Sequence, residues 1–265
     1  MANCEQDTLA RRSLDEMTIL DERSFRHVAI YDDLKQALRR ANYSFRVFPK
    51  GSAHRADRAL LLNLTFWSAD SGGDIFPDEQ IYADVIAHAA WHCVAARAMP
   101  TLPGEKPSVD ALFLGEAIAS AFDVYLVGRL LGHCPNSEFL QTQVSAMADS
   151  ADAAGLSEDA FEQLLQDIAA DPDRAFVDLR ELLFDATCAL FACETSESAF
   201  AALATFDAHR FAPLLHHYEL SNWVLYARAY GADGDVSTRA READQALRNA
   251  PDALAWLVTH WLPGV

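Results

Sequence analysis

Basic residues are scarce in this chain: 21 lysines and arginines stand against 39 aspartates and glutamates, for a formal net charge of -18 at pH 7. A field of that sign repels phosphate backbones and anionic headgroups, so nucleic acid and membrane surfaces are poor partners. The short basic clusters, Arg39, Arg40 and Arg46 or Lys50, Arg55 and Arg58, are the size of ordinary solvated faces. No C-x-x-C pair occurs among Cys4, Cys93, Cys134, Cys188 and Cys193. That absence excludes a zinc knuckle or a redox dithiol, and the scattered usage is that of a reducing compartment. No run approaches eighteen uninterrupted apolar residues, and residues 1–16 contain no apolar core of an export signal, so cytoplasm is the expected address. A serine nucleophile elbow, a P-loop and a dinucleotide-binding glycine fingerprint are all missing, which removes three common routes to an assigned chemistry. Internal repeats and low-complexity tracts are absent too.

What is present is a large apolar share, 51% of 265 residues, enough to bury a sizeable core. The patterning predicts a mainly α protein with a small N-terminal β-sheet, in the α+β class. Residues 1–30 read as a polar, partly ordered lead-in, 31–132 as an α+β region, and 133–265 as a helical region packed on it. A short helix is expected over 32–41, where Leu34, Ala37 and Leu38 share a face. Tyr43 to Phe48 alternates, with Tyr43, Phe45 and Val47 on one side, and Ala59 to Trp67 is a nearly continuous apolar run; both read as strands. A long helix is expected from Pro77 or Asp78 to Met99, stopped by Pro100. A second runs from Ser108 as N-cap to Gly132 at the C′ position. Further helices are expected at 137–150, 157–170, 173–194, 196–206, 208–230 with a break, and 237–262 with a break at Pro251.

Within the first long helix, Ile81, Val85, His88, His92 and Ala95 or Ala96 follow at spacings of three and four. This predicts both histidines on the core-facing stripe. Imidazoles four apart on one helical face can reach one ion, which is why H-x-x-x-H recurs in zinc sites. On the second helix, Glu116 lies in the small-residue stretch Gly115-Glu-Ala-Ile-Ala-Ser-Ala-Phe-Asp123. A lone ionised carboxylate on such a face is costly unless it is paired, protonated or coordinated. The small neighbours let the two helices approach closely enough for Glu116 to reach an ion held by the histidines. Asp123, two turns further along, is placed to accept the outer N–H of a ligating histidine, the usual supporting arrangement around a metal ligand. Asp84 precedes His88 by one turn and sits eight residues from His92, about 12 Å along the axis. It is too far to share an ion with His92, and is placed instead to orient His88 or to help hold a second ion.

These residues resemble the gluzincin type of zinc metallopeptidase, whose active-site helix carries HExxH after a sheet and whose next helix supplies a glutamate. His88-Ala89-Ala90-Trp91-His92 matches the two histidine ligands and Glu116, in GEAIASAFD, the third; the resemblance covers residues 43–131. It implies a zincin-like fold around zinc, with His88, His92 and Glu116 as ligands and water or substrate in the fourth position. The position of the family's general base is Ala89, and a methyl group accepts no proton. The expectation is therefore a degenerate relative that binds zinc without the usual base, its partner a peptide or protein. Two alternatives stand beside it: a metal-free helical interaction or scaffold module whose acidic face binds a basic partner, and a hydrolase using a different base. Glu79 and Glu105 are conceivable bases with nothing specific in their favour.

A second histidine cluster, His209, His216 and His217 with Glu219, has no clean ligand spacing; a surface or core role is expected, with a contribution to the same pocket as the alternative. Trp223, Tyr226, Tyr230, Trp256 and Trp261 read as core aromatics at helical spacing.

Overall fold

A computed structural model describes residues 9–52, 55–59, 75–101, 105–232 and 238–264. Among these, the strands are few and short and most of the rest is helical, as the patterning predicts. Strand β3 (Ser44–Val47) pairs antiparallel with β1 (Ala10–Ser13) and parallel with β4 (Ile75–Phe76). Its alternation does what the sequence implies: Phe45 and Val47 are buried while Ser44 and Arg46 face outward. Strands β2 (Thr18–Leu20) and β5 (Gln80–Tyr82) form a separate parallel pair. Helix α1 (Ala29–Arg40) lies between β2 and β3 in sequence.

Helices α2 (Ala83–Ala98) and α3 (Val109–Leu131) follow, and the Ser108 hydroxyl accepts the Ala111 N–H at 3.2 Å as the expected N-cap of α3. The chain continues through α4 (Glu138–Ala153), α5 (Glu158–Ala170), α6 (Pro172–Phe191), α7 (Ser196–Ala204), a 3-10 turn (Ala212–Tyr218), α8 (Leu220–Tyr230), α9 (Thr238–Asn249) and α10 (Ala253–His260). Helix α3 is the axis of the fold, packed by α2 on one side and most extensively by α6 on another, with α5 and α9 also against it. By length and composition it would pass as a membrane span, and 83% of its most apolar window is buried inside the protein. One hydrophobic core runs from Leu14 to Leu262 and crosses residues 133–137 without interruption.

Several expectations need correction. Residues 10–27 are not a polar lead-in: they hold β1, β2 and two 3-10 turns, and bury Leu14, Met17 and Phe25. Isolated apolar residues among charges carry no periodicity, so these contacts become visible only in three dimensions. The helix expected from Pro77 begins at Ala83, because residues 80–82 pair with β2 and place Ile81 opposite Ile19. Gly132 has φ -84, a right-handed cap in place of the left-handed C′ glycine. Of the strand expected over Ala59–Trp67, Ala59 is the last described residue of a helical stretch at 55–59, and residues 60–67 lie outside the described residues.

Close approach to α3 has a specific requirement at Gly128. A Cβ there would stand 2.5 Å from the Ile168 carbonyl oxygen and 3.0 Å from Pro172 Cβ, both on the α5–α6 corner. Gly128→Ala is expected to destabilise the fold by about 1–3 kcal/mol, the usual cost of overpacking a filled core. Urea unfolding would register this as a lower midpoint, and an unchanged midpoint would mean the corner yields freely.

Candidate metal centre

Helix α2 is built largely of alanines, and its most deeply buried residues are Ile86, Ala87, Ala90, Trp91 and Val94, with Trp91 set edge-on to Phe122 at 5.5 Å between ring centroids. The histidines are not on that stripe. His88 and His92 lie at its border with α3, their side chains 28% and 34% exposed. The sequence spacing placed them on one face, but small residues bury α2 around most of its circumference, so a three-and-four repeat does not by itself identify the innermost line.

Across the seam, Glu116 is buried. The neighbouring Gly115 lies against α2, where a Cβ would meet Ala95 at an ordinary contact distance of 3.5 Å. The antiparallel run of the two helices then brings the ligand atoms together. His92 Nε2 is 3.1 Å from His88 Nε2 and 3.1 Å from Glu116 Oε2, while His88 Nε2 is 3.7 Å from Glu116 Oε1. One ligand atom from each of the three residues lies within 4.8 Å of the others.

Asp123 occupies the position inferred for it, with Oδ2 at 3.0 Å from His88 Nδ1. An ionised carboxylate only accepts hydrogen bonds, so Nδ1 carries a hydrogen, and once the ring loses its second proton, as on binding a metal, its lone pair lies at Nε2, toward His92 and Glu116. Burial works against charge on His88, but Asp123, through its charge and hydrogen bond, and Glu116 outweigh it and hold the imidazole protonated well above its ordinary range. Burial also opposes charge on Glu116, and there the two histidines prevail, keeping the carboxyl ionised far below its ordinary range. The cluster is thus arranged to hold positive charge between its nitrogens and its carboxylate.

Asp84 stands one turn before His88 and does not take over its orientation, which belongs to Asp123. Burial pushes the Asp84 carboxyl up to about 6, with the nearby Asp123 charge adding to the rise and His88 opposing it. Ala89 is buried beside His88 with no proton-accepting atom on its side chain. Glu79 is engaged by Arg12 at 3.5 Å and Lys50 at 3.8 Å, apart from the cluster, and Glu105 is exposed.

The second histidine group splits. His209 accepts the Phe211 N–H through Nδ1 at 3.2 Å, and His216 is not part of the cluster. His217, on the 3-10 turn Ala212–Tyr218, meets Gln143 of α4 at 3.0 Å between Nε2 atoms. Burial lowers its basicity, with the charges of Asp123 and Glu219 opposing. The sequence reading missed Tyr218 and Tyr31, whose buried hydroxyls have no hydrogen-bond partner. Adjacent histidines and a tyrosine in a non-helical turn carry no periodic signal that would have found Tyr218. Of the aromatics expected in the core, Trp223 and Trp261 are buried, Trp256 and Tyr226 half-buried, and Tyr230 is exposed.

Comparison of the chain with family models, with curated proteins and with solved structures finds no match.

The charges of the cluster dictate a pH response in metal-free protein. A histidine whose folded pKa is raised contributes stability that is complete below its unfolded value, about 6.5, and is lost as pH rises through the folded value. Between pH 7 and 8.5 Asp84 and Glu116 are ionised whether the chain is folded or not, so the His88 contribution dominates the change from this cluster. With a chelator present, urea midpoints are expected to fall across that window, and to fall less in Asp123→Asn. Parallel slopes in the two proteins would show that Asp123 does not hold the His88 charge.

Proposed function

We propose that the protein binds a divalent metal, zinc, through His88, His92 and Glu116, and that it is a zincin-like metal protein without the peptidase's general base. The observation that supports this reading is the spacing of the three ligand groups, with edges of 3.1, 3.1 and 3.7 Å. Tetrahedral bonds of about 2.0–2.1 Å to nitrogen and oxygen require edges of about 3.3 Å, so little movement separates this arrangement from a coordinated one. The donor set also suits zinc: two imidazoles, the outer nitrogen of one held by a carboxylate, and one buried carboxylate. The partial exposure of both histidines leaves one side of the site open to an exchangeable ligand.

A bound zinc ion supplies Lewis acidity to whatever oxygen occupies the open position. The chain's own residues bind and orient: Asp123 fixes the His88 ring and raises its basicity, and Glu116 offsets the metal's charge from a buried position. At the place of the peptidase base, Ala89 can neither take nor return a proton. Losing such a base removes about 10²–10⁴ in rate, so binding, or chemistry that needs no base at this position, suits the site better than peptide hydrolysis.

A second reading, a metal-free helical interaction module, draws on the same distance: 3.1 Å between the two imidazole nitrogens is also a hydrogen-bond length. Metal content separates the two. Protein purified without a histidine tag is expected to hold about one zinc per chain, and His88→Ala with His92→Ala is expected to hold almost none. Well under one ion per chain in both proteins would end the metal reading. Chelator-sensitive peptidase turnover by the zinc-loaded protein would instead show that a base is supplied from elsewhere.

A further inference from the structure

Helix α9 is fastened to the protein mainly by charge. Of its 12 residues only Ala240 and Leu247 are buried, with Ala243 half-buried against the core. The shorter α10 that follows buries Ala253, Leu254 and Leu257. What α9 turns toward α3 and α6 is an alternating row of Arg241, Asp244 and Arg248, at spacings of three and four that keep them on one helical face. Arg241 donates to both oxygens of Asp110, in the first turn of α3, at 2.7 and 3.3 Å. Asp244 accepts from Arg180 of α6 at 2.5 Å and from Arg248 of its own helix at 2.8 Å. Arg248 then reaches back to α6, to Asp185 at 2.7 Å and Glu181 at 3.5 Å.

Two features make this attachment weaker than the number of its ion pairs suggests. The Arg180 side chain is fully buried and its Nε has no hydrogen-bond partner. Desolvating a guanidinium that is incompletely bonded offsets much of what its pairing gains. The outer pairs are open to salt: the Arg241 side chain is 53% exposed, and Asp185, which receives Arg248, is 46% exposed. Pairs of that kind contribute little each and are screened by dissolved ions. Once they are screened, one leucine and a few alanines are the apolar surface left to hold the helix.

We propose that α9 is an ion-pair latch, a helix that opens from α3 and α6 as a unit, ahead of the rest of the core, with ionic strength setting how often it does so. Opening parts Arg241 from Asp110 and Asp244 from Arg180, so the first turn of α3 and the middle of α6 lose their cross-link through α9. The inference stands apart from the zinc reading, because His88, His92 and Glu116 take no part in these pairs.

Hydrogen exchange of the metal-free full chain, read by mass spectrometry of its peptides, tests the latch. Exchange is compared in about 10 mM and about 1 M sodium chloride, where charges are screened beyond roughly 30 and 3 Å. Amides of residues 241–249 are expected to exchange about tenfold faster at the higher salt, while those of residues 113–127 in α3 change less than about twofold, as separate opening of one element requires. Arg241→Gln, made at an exposed side chain, is expected to speed α9 exchange already at low salt and to shrink its salt response, with the circular dichroism spectrum unchanged. The salt series on the parent protein decides the question even where that variant fails to fold. Salt-insensitive exchange of α9 in the parent, exchange that rises equally in α3, or a folded Arg241→Gln protein that behaves as the parent does would overturn the latch.

Discussion

Two imidazoles on α2 face a carboxylate buried on α3, and the close antiparallel contact of those helices is what makes them meet. Small side chains line that seam, and a Cβ at Gly115 would meet Ala95 at 3.5 Å, an ordinary van der Waals contact. With bulkier side chains at that seam, Glu116 would stand too far from His88 and His92 to share an ion or a proton with them. The rest of the fold holds α3 in place. Helix α6 packs along it, Gly128 admits the α5–α6 corner, and Arg241 of α9 reaches Asp110 in its first turn at 2.7 Å. The fully buried Arg180 of α6 is itself tied to α9 through Asp244. The C-terminal half therefore acts on the centre through the position of one helix.

An ionised carboxylate in that position is costly unless positive charge stands beside it. Both readings of the cluster meet that requirement, one with a proton shared among imidazoles and one with a metal ion. The proton reading leaves the open side of the cluster unexplained, because a purely structural ion pair gains nothing from partial exposure. The metal reading accounts for the exposure and for the hydrogen bond from His88 to Asp123, which fixes the tautomer that directs Nε2 toward the ligand point.

Much of this was legible in the residues. The helical spacing of His88 and His92, the isolated Glu116 among small side chains, and Asp123 two turns on together specified a convergence, and the distances between those atoms agree with it. The mainly helical class followed from long apolar periodicity after residue 77. Illegible were features lacking a period. Phe25 and Leu14 enter the core from short turns, Ile81 belongs to a three-residue strand, and Tyr218 is buried from a 3-10 turn. Such contacts depend on chain reversals that no local pattern announces. The border position of the histidines was misread for a related reason: an alanine-rich helix is buried on several sides, so its apolar repeat points nowhere in particular.

Crystals grown with zinc and measured at the zinc absorption edge address the convergence itself. A single anomalous peak is expected about 2.0–2.2 Å from His88 Nε2, His92 Nε2 and a Glu116 oxygen, with Asp123 still on His88 Nδ1. The imidazoles remaining bonded to each other, with the peak elsewhere or absent, would contradict the metal centre.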